Sequence, residues 1–91
     1  MTMTEWPNAR RVFKLVRGCS LLFAGEDQTV QGAALADMLA RWLAGHVVFG
    51  DPKATAVLRE EVLRIHLEAV RKLVPVNYKD VIEPELKRRT Q

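Results

Sequence analysis

Thr29–Gly45, TVQGAALADMLARWLAG, decides the fold. Leu35, Met38, Leu39, Trp42 and Leu43 recur at the spacing of one helical face. Beside them Gly32, Ala36, Ala40 and Ala44 form a row of small residues, each four apart, which lets another helix backbone come close. Only Asp37 and Arg41 mark a polar strip, in the favourable acid-first order. An apolar arc this wide calls for at least two neighbours. Asp27 or Thr29 is placed to accept from the first unpaired amides, and Gly45 suits the left-handed residue that closes a helix. Gly32 costs about 1 kcal/mol relative to Ala inside a helix, which points to close packing there or to a place in the first turn.

Upstream, Val12, Leu15, Val16, Cys19, Leu22 and Phe23 also fall on one helical face, so 8–23 reads as a helix capped by Asn8. A hairpin turning at Arg17-Gly18 is the competing reading; the helical spacing matches at more positions. Arg10, Lys14 and Arg17 share the opposite face with Phe13 and Leu21, an arrangement open to an anionic partner or to a second subunit. Met1–Pro7 reads as a loose lead-in, with Trp6 available to pin it. Ala24–Gln28 is a polar loop short enough to make the first two helices antiparallel neighbours.

Downstream, His46–Gly50, HVVFG, is an apolar loop, tucked in or offered as a contact. Asp51-Pro52 reads as cap and first residue of a long helix over 52–74. Leu58, Val62, Ile65, Ala69 and Leu73 form its stripe, and Leu63, Leu67, Val70 and Val74 broaden it. Glu60, Glu61, Arg64, Glu68, Arg71 and Lys72 make a solvated outer face. Pro75 is expected to end this helix. Asn77 with Asp80 then resembles a new start signal, opening a short turn through Ile82 that docks Tyr78, Val81 and Ile82. Pro84 breaks the chain again, leaving 84–91 as a frayed basic tail.

The 91 residues fit one domain, and nothing in them approaches the roughly 20 apolar residues of a membrane span. A single cysteine excludes an intrachain disulfide, and no secretory pattern opens the chain. A soluble cytoplasmic protein is the expectation. The net charge of +3 is modest, but its distribution alternates. Residues 1–23 carry Arg10, Arg11, Lys14 and Arg17 against Glu5, for +3. Residues 24–51 carry Glu26, Asp27, Asp37 and Asp51 against Arg41, for −3, and residues 52–91 return to +3.

No phosphate-binding glycine loop, HExxH, CxxC or nucleophile elbow occurs, and neither histidine has a Glu three residues before it. Glu26 and Asp27 suit the positive end of the next helix rather than a catalytic pair. His66 lies within the third helix's apolar arc, where a core hydrogen bond is its ordinary role and a ligand or proton-transfer role the sharper one. His46 follows the second helix. Counted along the third helix, His66 falls roughly 16–21 Å beyond the start near His46, which argues against a shared metal. Cys19, in an apolar stripe, reads as an inert small hydrophobe.

The fold expected is all-α: a three-helix up-down-up bundle, with a short fourth C-terminal helical segment and a basic tail. The function expected is a non-enzymatic protein-protein interaction module without cofactor or metal, most simply a homodimer. Its interface would draw on Phe13, Leu21, Gly32, Ala36, Ala40, Ala44, Val47, Val48 and Phe49. The alternative is binding of an anionic ligand or nucleic acid through Arg10, Arg11, Lys14, Arg17, Lys87, Arg88 and Arg89. A third reading is a small metal or catalytic protein built around His66.

Overall fold

The computed structural model describes residues 8–90. The expected lead-in over 1–7, with Trp6, and the last residue, Gln91, lie outside the described residues. The described chain is all-α, with no strand. Helix α1 spans Ala9–Phe23, α2 Gln28–Ala44 and α3 Pro52–Asn77; a π-helical turn over Tyr78–Ile82 leads into α4, Glu83–Arg89. The chain, read from sequence as one domain, groups into two compact units, Met1–Met38 and Leu39–Gln91, with the boundary inside α2.

In the first unit, α1 forms as its periodicity requires, and the hairpin alternative is not taken. Its start differs from expectation. Asn8 adopts a left-handed backbone (φ 59°, ψ 29°) and its side chain caps nothing. Asn tolerates that conformation better than most residues, and its carbonyl still accepts from the Val12 amide at 3.1 Å. The joint to α2 is built by hydrogen bonds. Gly25 takes φ 83°, which a side chain would strain. The Gln31 side-chain amide then donates to the carbonyls of Phe23 (2.8 Å) and Glu26 (3.1 Å). Of the two candidate caps, Asp27 acts: its carboxylate accepts from the Thr29 amide at 2.7 Å.

The second unit begins with the last turns of α2. The expected left-handed closure at Gly45 does not form; the glycines with positive φ are Gly25 and Gly50. Side chains satisfy the terminal carbonyls instead. His46 Nδ1 donates to Trp42 O at 2.9 Å, and Arg59 reaches from α3 to Ala44 O (2.8 Å) and His46 O (3.2 Å). With these oxygens partnered, a reversing glycine is not needed. Gly50, at φ 77°, makes the turn before α3. Asp51 caps α3 as expected, accepting from the Ala54 amide at 2.9 Å ahead of Pro52. Trp42 meets His66, while Ala44 meets Arg59. Residue numbers rise along α2 as they fall along α3, so these segments run antiparallel.

The C-terminal stretch corrects the expectation most. Pro75 lies inside α3 and does not end it. Asn77 is an ordinary right-handed helical residue with no capping bond, so no new helix starts there. Pro84 falls in the first turn of α4 and does not break the chain either. A helical proline crowds the carbonyl four residues back and offers it no amide. The wider π turn just before Pro84, in which the Glu83 amide donates to Tyr78 O, gives that carbonyl room. The residues expected to fray form α4, braced by pairs one turn apart: Lys87 to Glu83 at 3.3 Å, and Arg88 and Arg89 to Glu85. The helical path from Pro52 to Arg89 is roughly 57 Å at about 1.5 Å per residue.

The expected burial of the apolar stripes is not found. No described hydrophobic residue is buried; the one buried side chain is Thr55, 8% exposed. Leu15, Val16 and Leu22 on α1 remain open, as do Val30, Leu35 and Met38 on α2. Local hydrogen bonding and periodicity build these helices, and within its own unit neither apolar row finds a cover.

Candidate functional site

Three groups of residues carry the chemistry worth weighing. The first is the uncovered apolar surface. In the first unit Phe13 and Leu21 are exposed on the same side of α1 as Arg10, Lys14 and Arg17, with Arg11 exposed beside them. On α2, Gly32 and Ala36 are exposed, as are Ala40 and Ala44 beyond the unit boundary. A Cβ built at Gly32 meets nothing within 4 Å, so close approach of another segment does not explain that glycine. Val47 and Val48 are exposed, and Phe49 is 94% exposed.

The loop carrying Phe49 is nonetheless held at its base. The Thr55 hydroxyl oxygen accepts from the Val48 amide at 3.0 Å. The same hydroxyl lies within donating distance of the carbonyls of Asp51 (2.9 Å) and Val48 (3.2 Å). With Arg59 on the carbonyls of Ala44 and His46, the first two turns of α3 fix the loop while its aromatic tip stays in solvent. Together Val47, Val48, Gly50, Asp51, Pro52, Thr55 and Arg59 line a shallow notch beside that tip.

The second group is Trp42 with two imidazoles. His46 and His66 each meet its ring edge-on, with centroids 4.6 Å away. The sequence spacing had set these histidines far apart. Counting along α3 places His46 at its start, whereas the loop runs back along the first turns of α3 and returns His46 to the level of Arg59. Each Nδ1 lies on a carbonyl one turn earlier, Trp42 O for His46 and Val62 O for His66 (2.8 Å). A carbonyl only accepts, so Nδ1 carries the proton in both rings. Among the described residues no group of three or more His, Cys, Asp or Glu is arranged to hold a metal ion. His66 is half-buried and hydrogen-bonded, which is the ordinary reading of such a residue.

The third group is the charged residues. Lys87, Arg88 and Arg89 are all paired to Glu83 or Glu85, so the C-terminal cations are largely offset within their own helix. On α3, Arg64 bridges Glu61 and Glu68. The hydrogen bond from Arg64, and then its charge, hold the Glu61 carboxyl below the usual carboxylate range. The pair is exposed and makes a solvated face. Cys19 is half-buried on α1.

Sequence reasoning missed three things. Arg59 was not singled out, because its role needs the loop to fold back. Gln31 was treated only as part of a helix. Leu67, Val70 and Val74, which broaden the expected apolar stripe of α3, are all exposed. No family model, curated protein or solved structure matches the chain. No described helix is long and apolar enough to cross a membrane.

Proposed function

We propose that this chain is a non-enzymatic interaction module whose partner is a second copy of itself. One observation carries the reading: well-formed helices present apolar rows on which no described hydrophobic side chain is buried. Uncovered apolar surface of this extent is the mark of an interaction site, and obligate homodimers often have no stable folded monomer. The alternating charge supports a like partner. Helix α1 carries Arg10, Arg11, Lys14 and Arg17 with no acidic residue, while residues 24–51 sum to −3, so the basic face of one copy complements the acidic middle of another. Phe13 and Leu21 on α1, the row Gly32, Ala36, Ala40 and Ala44, and the loop Val47, Val48 and Phe49 supply the apolar contact.

The anionic-ligand alternative keeps only its α1 half, because the C-terminal cations are occupied by Glu83 and Glu85. Light scattering and far-ultraviolet circular dichroism across a hundredfold range of concentration test the proposal. Mass and helicity rise together if copies cover one another's apolar rows. A monomeric mass at every concentration, with helicity unchanged, overturns it.

A further inference from the structure

Between α3 and the π turn, Val70, Leu73, Val74, Asn77, Tyr78 and Ile82 line a concavity that is almost wholly apolar. Its first four residues stand at i, i+3, i+4 and i+7, the diamond of four side chains that receives a single knob when two helices pack side by side. The row that runs through it is continuous. Leu63, Leu67, Val70, Val74 and Asn77 alternate at spacings of four and three, the repeat of a two-helix seam. The π turn inserts one residue, which moves the row from Val81 to Ile82, and Ile82 is the residue that lines the concavity.

We infer that this seam is the face on which two copies of the chain pair, α3 against α3 in antiparallel orientation, with Leu67 of one copy seated over Val70 of the other and Leu63 over Val74. The inference rests on self-association and adds a pairing face on α3 to the contacts proposed for it. Like residues on both sides satisfy a two-fold pairing, in which each patch meets itself. Charge sets the direction. Segment 60–69 carries Glu60, Glu61 and Glu68 against Arg64, for −2, whereas 70–79 carries Arg71, Lys72 and Lys79, for +3. Antiparallel pairing lays the acidic segment of one copy along the basic segment of the other; parallel pairing stacks like on like. Opposed helix dipoles favour the same direction. Val74 is 60% exposed in the single chain, so the seam is open to a partner.

The test uses the full chain in analytical ultracentrifugation. Val74→Glu raises the dimer dissociation constant at least about tenfold, because the buried methyl groups are lost on both sides of a two-fold seam. Val57→Glu, 70% exposed on another face of α3, leaves it unchanged. Circular dichroism at low concentration, where both variants and the parent are monomeric, shows equal helicity if neither substitution damages the helix itself. A spin label at Val57→Cys in a Cys19→Ser background reads the orientation. Labels roughly 35–40 Å apart fit the antiparallel register, and labels closer than about 20 Å a parallel one. A dimer that Val74→Glu leaves intact, or labels in the short range, overturns this seam while self-association stands. A parent chain that stays monomeric overturns both.

Discussion

Arg59 closes α2 from outside it: its guanidinium donates to the carbonyl of Ala44 at 2.8 Å, and through Nε to that of His46 at 3.2 Å. A residue of α3 therefore does what a terminal glycine does in many helices. Arg59→Ala is expected to lower the stability of the second unit by about 1–2 kcal/mol, less than a buried charged bond because one contact is exposed. Arg59→Lys recovers only part of this, since an ammonium cannot reach both oxygens with a planar fork. Urea unfolding followed by Trp42 fluorescence in a Trp6→Phe background measures both.

Among the described residues Thr55 is the one that is buried, and its hydroxyl serves the loop on three backbone groups. Thr55→Val keeps the shape and strips the bonds, leaving the Val48 amide without its acceptor. The expected loss is about 1–3 kcal/mol. Hydrogen exchange at Val48 should accelerate well beyond that at Leu63, which lies further along the helix. Equal acceleration at both sites would assign the effect to general unfolding instead.

Pro75 sits inside α3, so alanine at that position restores a backbone amide to a continuous helix. Pro75→Ala is expected to stabilise the helix by up to about 3 kcal/mol and to raise helicity. Had the proline ended the helix, the same change would be close to neutral. Thermal unfolding monitored at 222 nm distinguishes the two.

The carboxyl of Glu61 is held below its usual range, first by the hydrogen bond from Arg64 and then by its charge. A depressed folded-state value means the contribution is present above the unfolded value and is lost as pH falls through the folded one. Carbon-13 titration of Glu61 should therefore give a midpoint below that of a model glutamate. In Arg64→Gln it should return to the ordinary range, with little change in melting temperature at neutral pH because the pair is exposed.

The helices were legible in the sequence because periodicity and capping are local. The rows from Val12 to Phe23 and from Leu58 to Leu73 placed α1 and α3, and Asp51-Pro52 marked the start of α3 to the residue. Two kinds of signal misled. Pro75 and Pro84 are breakers by propensity, but α3 runs on through Pro75, and a π turn relieves Pro84 while acid–base pairs one turn apart brace the helix that it opens. Apolar spacing shows which face seeks cover and is silent on whether that cover comes from the same chain. Leu67, Val70 and Val74 thus broaden the apolar stripe and yet stand in solvent. His46 and His66 were separated because distance was counted along a helix, while the loop folds back beside it.

Pro75 and Pro84 also give the C-terminal rod an order of disassembly. Neither supplies an amide hydrogen, so the ladder from Pro52 to Arg89 lacks two rungs. Unzipping that enters at Thr90 meets only the solvent-exposed acid–base pairs of α4 before Pro84, and a second gap waits at Pro75. The rod should come apart in blocks: amides beyond Ile82 exchange together and first, those between the prolines next, and the stretch anchored by Thr55 and Arg59 last.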